Sequence, residues 1–124
     1  MATSDDVQRV VLTSGKVYYD LRQARDKANA KVAVIRLEQF YPFPQPMLAE
    51  ALRGYPNATE ILWVQEEPRN MGAWPFLHER LQSVIGGNQK LRYVGRPLAA
   101  APATGSHHRH EEQQKALVDA AIGG

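Results

Sequence analysis

The 124-residue sequence contains no cysteine. This absence excludes disulfide frameworks, thiol nucleophiles and cysteine-based zinc sites. The sequence also has no apolar run that approaches the ~20 residues of a membrane-spanning helix. Its first six residues are polar and acidic, without the basic start and apolar stretch of a secretory signal. We therefore expect neither a membrane partner nor a secreted disulfide-rich fold.

A strong charge of either sign is also missing. The 15 lysine and arginine residues exceed the 13 acidic residues by only two. Because the basic residues are scattered, nucleic acid is not expected as a partner. The apolar share of 44% and the charged share of 23% are ordinary for a globular domain of this length. We expect one domain over residues 7–124, preceded by a disordered or artificial lead at residues 1–6.

Short β-branched and apolar segments alternate with segments of helical periodicity. The predicted strands are residues 9–13, 31–37, 60–65 and 90–94, and the predicted helices are residues 16–29, 46–53, 73–84 and 107–121. Alternation of this kind predicts a parallel or mostly parallel sheet covered by helices on both faces. The expected fold is an α/β protein, a three-layer α/β/α sandwich with a sheet of four to five strands.

Ligands of open α/β sheets bind where strand carboxyl ends meet helix N-termini. Four such corners are predicted, at residues 14–16, 39–44, 65–72 and 95–110. The first corner is only a fragment of a phosphate-binding loop, because Val17 stands where serine or threonine would bind magnesium. A plain turn is favoured there, and an anion contact by backbone amides is the alternative.

Glu66 and Glu67 are neighbours in a polar loop that we predict at residues 66–72. Acid–base catalysis needs two groups held about one substrate bond, and adjacent side chains in a loop diverge. A scaffolding role or an interface salt bridge is therefore favoured, and contact with a ligand is the alternative.

His107, His108 and His110, together with Arg109, form a basic cluster at the start of the last predicted helix. Histidines at this spacing cannot all face one ion, so a solvated helix start is favoured over a metal site. Contact with an anion or a partner is the alternative. The common catalytic motifs are missing from the sequence. From the residues alone we expect a stable α/β module with possible anion contacts, and no catalytic residue, cofactor-binding residue or metal ligand.

The segment VQEEPRNMGAWPF at residues 64–76 resembles the signature of the C-terminal, transketolase-like domain of 2-oxoglutarate dehydrogenase. Four more segments agree with that family in the same order: SGKVYYDL at 14–21, IRLEQFYPFP at 35–44, YVGRPLAAAPATG at 93–105 and EEQQKALVDAA at 111–121. The resemblance covers nearly the whole chain and implies the transketolase C-terminal fold. The histidine-rich residues 107–110 depart from the family pattern, so no family role is carried onto them.

The resemblance implies oxidative decarboxylation of 2-oxoglutarate in the tricarboxylic acid cycle, by a dehydrogenase that uses thiamine diphosphate and magnesium. The family's cofactor signature, Gly-Asp-Gly followed by Asn-Asn, lies in earlier domains and is absent from this sequence. The implied role is therefore that of a last domain, inactive alone, which serves assembly. The implied partners are the remaining domains, a homodimer partner and the lipoyl-bearing succinyltransferase component. The implied location is the bacterial cytoplasm, or the mitochondrial matrix in a eukaryote.

Two sets of residues are candidates for contacts. Those expected to support packing in the assembly are Gln65, Glu66, Glu67, Asn70, Gly72, Trp74 and Phe76, although Trp74 suits a core position equally well. An alternative function is a regulatory module for a small anion, a nucleotide or acyl-CoA, contacted by Lys16, Arg69 and Arg96. A free-standing paralogue kept without the catalytic domains is a further possibility.

Overall fold

The computed structural model describes residues 4–38, 43–96 and 107–123. A short 3-10 turn at Ser4–Asp6 precedes an alternation of strands and helices. These elements are β1 (Arg9–Thr13), α1 (Val17–Ala28), β2 (Val32–Arg36), α2 (Gln45–Arg53), β3 (Glu60–Pro68), α3 (Trp74–Val84), β4 (Lys90–Arg96) and α4 (His107–Ile122). The predicted α/β class is confirmed, and each predicted strand and helix is present.

The four described strands form one parallel sheet in the order β2-β1-β3-β4. Val10 of β1 lies opposite Ala33 of β2 on one side and Ile61 of β3 on the other. The chain passes from β1 to β2 in one direction along the sheet and from β3 to β4 in the other. The order therefore reverses between β1 and β3, and this switch point is where open parallel sheets form a crevice.

Alternate residues of each strand face opposite helix layers. Leu12 of β1 packs in one apolar cluster with Leu48 of α2 and Leu77 of α3. The neighbouring Val11 packs in a second cluster with residues of α1 and α4, among them Leu117. Two layers of helices thus enclose the sheet, and the predicted three-layer sandwich is confirmed.

Local sequence explains where the helices end. Pro46 stands in the first turn of α2, where a missing N–H costs no intrahelical hydrogen bond, and Gly54 is the C-cap. The helix α1 ends at Asn29, whose φ of 52° is left-handed and whose N–H reaches the carbonyls of Arg25 and Asp26. Asparagine tolerates this conformation better than most residues, which makes it a good helix terminator.

Two predicted strand ends are wrong, because β3 continues past residue 65 to Pro68 and β4 continues past residue 94 to Arg96. The polar loop expected at residues 66–72 begins later, because β3 continues through Glu66 and Glu67 to Pro68. Gln65 pairs with Gly95 of β4 and Pro68 with Arg96, so the register shifts between them. The irregularity allows the strand to continue to a proline at its last position. The corners predicted at residues 39–44 and 95–110 fall largely outside the described residues.

Candidate functional site

A cleft of about 510 Å³ opens at the carboxyl ends of β1 and β3, at the switch point of the sheet. It is lined by the turn after β1, the end of β3 and the start of α3. The lining residues are Ser14, Gly15, Trp63, Gln65, Glu66, Glu67, Gly72, Ala73 and Phe76. The two predicted corners at 14–16 and 65–72 therefore meet in one site, as parallel strands require.

The buried amide of Gln65 organises this end of the sheet, and the side chain is only 3% exposed. Its Oε1 accepts a hydrogen bond from the indole Nε1 of Trp63 at 2.8 Å and another from the backbone N–H of Trp74 at 3.1 Å. The second bond supplies a partner to an N–H in the first turn of α3, where no intrahelical acceptor exists. Gln65 thereby fixes where α3 starts.

The two N–H groups at Nε2 of Gln65 are shared among three backbone carbonyls, those of Glu67 at 3.1 Å, Pro68 at 2.9 Å and Met71 at 2.8 Å. These carbonyls belong to the irregular end of β3 and the turn that follows it. Buried carbonyls without partners are costly, so one side chain stabilises the whole turn. Both the oxygen and the nitrogen of the Gln65 amide therefore have hydrogen-bond partners within the chain.

The two glutamates diverge, as the sequence predicts, although they do so from a strand. Glu66 is half-buried, and its Oε1 accepts a hydrogen bond from Nε2 of Gln114 in α4 at 2.9 Å. Glu67 is exposed and lies against Gly72, where an added Cβ would be 3.0 Å from its Oε1. Gly72 has a φ of 65°, a conformation that favours glycine. Both glutamates are among the residues that line the cleft, and no lysine or arginine is among its described lining residues.

Arg96, predicted as an anion contact, links β3 to α4. Its Nη1 donates to the carbonyl of Glu66. Its Nε donates to Oε1 of Gln113 at 3.2 Å, and its Nη2 donates to Oε1 of Gln114 at 3.1 Å. The guanidinium therefore holds a helix against the end of a strand. An additional anion contact by Arg96 stays a prediction.

Arg69 and Arg96 are brought together around Tyr93. The Arg69 guanidinium lies 5.4 Å from the centroid of the Tyr93 ring. The single O–H of Tyr93 donates to the carbonyl of Arg96 at 2.7 Å, and the carbonyl oxygen of Glu67, 3.2 Å from the hydroxyl oxygen, shares this hydrogen. Burial raises the pKa of the Tyr93 phenol above its ordinary value of 10.0, although the two guanidiniums act against the shift. Lys16 is exposed at the N-cap of α1 and is not among the residues that line the cleft, and its contact with an anion also stays a prediction.

Trp74 occupies a core position. It is 8% exposed, and its ring lies 5.4 Å from that of Tyr93 and 5.0 Å from that of His78. Phe76, in the first turn of α3, is half-buried and lines the cleft, with the Arg80 guanidinium 3.9 Å from its ring centroid. Of the two aromatic candidates, Phe76 is the one on the cleft surface. Asn70 lies in the exposed turn after β3.

Sequence reasoning missed two residues of the site, Trp63 and Gln114. Trp63 could have been predicted from the sequence, because residues two apart in a strand share a face and Gln65 is a candidate. Gln114 could not have been predicted, since its contact with Glu66 exists only after α4 packs against the sheet. The backbone of α4 begins at His107, as predicted, while the roles predicted for the 107–110 side chains lie outside what the structure describes.

Within the described ranges, no group of three or more histidine, cysteine or acidic side chains is placed to bind a metal ion. In the same part of the chain, no helix is both long and apolar enough to cross a bilayer.

Comparison with known proteins connects this geometry to a family. Residues 1–122 match the family model described as 2-oxoglutarate dehydrogenase C-terminal. The 2-oxoglutarate dehydrogenase E1 component of Cupriavidus necator is 53% identical over 117 residues, which cover 94% of this chain and 12% of that protein. The E1 component of Haemophilus influenzae is 49% identical over 118 residues, covering 94% of this chain and 13% of that protein. The E1 component of Rickettsia felis is 44% identical over 123 residues, covering 97% of this chain and 12% of that protein. The chain thus spans about an eighth of the length of these relatives.

Proposed function

The chain belongs to the 2-oxoglutarate dehydrogenase C-terminal family, and from this premise we propose that it is the last domain of a 2-oxoglutarate-decarboxylating dehydrogenase component. The observation that carries the proposal is the extent of the match. Residues 1–122 fit the family model, yet the chain spans only 12–13% of the length of the named relatives. The parent reaction is then oxidative decarboxylation of 2-oxoglutarate, with transfer of the succinyl group to a lipoyl arm.

The domain serves assembly, and the catalytic centre lies in other parts of the parent enzyme. Thiamine diphosphate, the cofactor of that reaction, does not fit the described cleft, because Glu66 and Glu67 would repel its diphosphate. Nor is a lysine or arginine among the described lining residues to offset this repulsion. Cofactor and magnesium are therefore assigned to the remaining domains, and the chain alone is inactive. Within the assembly the domain packs against those domains and against a homodimer partner in the cytoplasm.

The structure around Gln65 supports an assembly role. Hydrogen bonding of its amide to five partners holds the end of β3, the turn after it and the start of α3 in one arrangement. A surface with a fixed shape loses less conformational entropy when it packs against another domain. Apart from Trp63, the residues joined by these bonds belong to the family segment 64–76.

A chimera tests the proposed function. In the Cupriavidus necator enzyme, the C-terminal stretch that matches this chain is replaced by residues 1–124. We expect the chimera to reduce ferricyanide in the presence of 2-oxoglutarate and to be dimeric, whereas the isolated chain and the truncated enzyme do neither. Activity of the isolated chain, or a soluble chimera without activity, would contradict the proposal.

The size of the natural polypeptide is a second test. An antibody raised against the chain is used to blot an extract of the source cells. A band much larger than 13.9 kDa is expected for a domain of a longer enzyme. A band at 13.9 kDa would indicate a free-standing module, and the anion-binding alternative would then be tested by titration calorimetry with nucleotides and acyl-CoAs.

A further inference from the structure

The large apolar side chains that stay exposed are collected at one edge of the sheet. Within the described residues they are Tyr19, 57% exposed, Met47, 66% exposed, and Met71, 50% exposed. Tyr19 and Met47 stand in the first turns of α1 and α2, and Met71 lies three residues before α3. Each helix starts near the carboxyl end of the strand before it, so all three residues lie at the carboxyl edge of the parallel sheet. We call the surface that they mark the carboxyl-edge face.

The opposite edge of the sheet has a different composition. The exposed described residues that flank the amino ends of the strands are polar: Gln8 before β1, Lys31 before β2, Thr59 before β3 and Lys90 at the start of β4. Apolar residues scattered singly over a surface need no explanation, whereas their collection on one side indicates a surface that packs against another protein. The two edges therefore differ in what they can bury.

Tyr19 is fixed in place although it is exposed. Its hydroxyl oxygen accepts a hydrogen bond from Nη1 of Arg36 at 3.0 Å, and the same guanidinium lies 5.4 Å from the centroid of the Tyr19 ring. Arg36 is oriented in turn by an ion pair of its Nε with Glu38 at 2.7 Å. A side chain that is already ordered loses less conformational entropy when a partner covers it.

The backbone that carries Met71 is fixed as well. The Met71 carbonyl accepts a hydrogen bond from Gln65 at 2.8 Å, and the Met71 N–H donates to the carbonyl of Pro68 at 2.9 Å. Arg69, an exposed residue, lies in the same turn. Tyrosine, methionine and arginine are the residue types enriched in protein–protein interfaces, and tyrosine and arginine recur among the residues that contribute most to binding. The composition of this face is thus that of a protein interface.

We propose that the carboxyl-edge face packs against the part of the parent enzyme that precedes this domain. The inference rests on the proposed function. The chain matches a C-terminal family model and spans only 12–13% of the named relatives, so about seven-eighths of the parent polypeptide lies outside it. Removal of apolar area from water drives association, and the described surface offers its large exposed apolar side chains at this edge. The remaining polypeptide is therefore the occupant, and this face is where it packs.

Methionine oxidation tests the proposal, because Met47 and Met71 are themselves reporters of burial. Hydrogen peroxide converts an exposed methionine to its sulfoxide, and a covered thioether reacts more slowly. The chimera is prepared with Gln82→Met, which adds a reporter at an exposed position near the end of α3, at the opposite edge. Peptide mass spectrometry follows each site. We expect Met47 and Met71 to oxidise about tenfold or more slowly than the methionine introduced at position 82, and all three at equal rates in urea.

Photo-cross-linking identifies what covers the face. p-Benzoylphenylalanine replaces Tyr19 in the chimera, and the same residue in place of Gln82 is the matched control. We expect position 19 to cross-link to residues of the Cupriavidus necator enzyme that precede the junction, and position 82 to give no such product. Cross-links from position 19 to a second copy of this domain would make that copy the occupant and overturn the proposal.

The outcomes separate this inference from the proposed function. If the chimera is soluble but neither active nor dimeric, the proposed function fails and this inference fails with it. If the chimera is active, yet Met47 and Met71 oxidise as fast as the methionine at position 82, the domain is a working part of the enzyme and only the carboxyl-edge interface is wrong.

Discussion

The side-chain oxygen of Gln65 accepts a hydrogen bond from the backbone N–H of Trp74 at 3.1 Å. This bond joins the end of a central strand to the first residue of the following helix. The turn between the two residues is held by the same side chain from its other end. The shape of the cleft therefore depends on one buried amide.

Replacement of this amide should destabilise the chain. Gln65→Met preserves most of the volume but removes the hydrogen bonds of the amide to Trp63 Nε1, the Trp74 N–H and the Met71 carbonyl. The carbonyls of Pro68 and Glu67 keep other donors, the Met71 N–H and the Tyr93 hydroxyl. We expect the free energy of unfolding to fall by about 3 kcal/mol, because unsatisfied buried polar groups are costly. Urea denaturation measures this loss. Gln82→Met, an exposed change on α3, is the control and should cost less than about 0.5 kcal/mol.

Arg96→Lys should loosen the attachment of α4. Lysine cannot reproduce the planar fork that reaches the Glu66 carbonyl, Gln113 and Gln114 together. We expect a loss of about 1–2 kcal/mol of stability and faster amide exchange in the α4 backbone. Arg92→Lys on the same strand is the control, because its ion pair with Glu60 is half-exposed. Equal exchange rates in the two variants would contradict the structural role of Arg96.

Gly95 is required by a close approach between strands. A Cβ at this position would lie 2.6 Å from Oη of Tyr93 and 2.7 Å from the backbone carbonyl of Gln65. Because a carbonyl in the sheet cannot move freely, Gly95→Ala should cost about 2–3 kcal/mol of stability. At Gly87 a Cβ meets nothing within 4 Å, so Gly87→Ala should be nearly neutral. Thermal unfolding of both variants checks the contrast.

Tyr93 should make the chain sensitive to high pH. Burial raises the pKa of its phenol in the folded state above 10.0, so the protonated form is favoured by folding. Below pH 10 both states keep the proton, and stability does not depend on this group. As the pH rises further, the unfolded chain releases the proton first, and stability falls until the folded state also ionises.

The Tyr93→Phe variant isolates this effect. Subtracting its ultraviolet absorbance titration from that of the parent chain gives the titration of Tyr93 alone, which should have a midpoint above 10.0. The free energy of unfolding of the variant should be lower by about 1 kcal/mol at neutral pH, since the hydrogen bonding of the hydroxyl with the carbonyls of Arg96 and Glu67 is lost. Its stability should also decline less steeply above pH 10. A midpoint at or below the ordinary value would show that the phenol is not buried in solution.

The sequence by itself determined the succession of strands and helices along the chain, their buried faces and several of their ends. The alternation of Val10, Val11 and Leu12 between two helix layers follows from the two-residue period of a strand. The end of α2 at Gly54 is also predicted from local sequence, because the residues that end the helix lie within a few positions of the boundary. Six of the nine residues that line the cleft belong to the family segment at 64–76.

Only the tertiary structure decided how the site is built. The extension of β3 to Pro68 depends on pairing with β4, and the orientation of Glu66 depends on Gln114, 48 positions away. The tertiary structure also places Trp74 in the core and Phe76 on the surface of the cleft. Periodicity is a property of neighbouring residues, whereas a hydrogen bond between distant elements exists only once those elements have packed together.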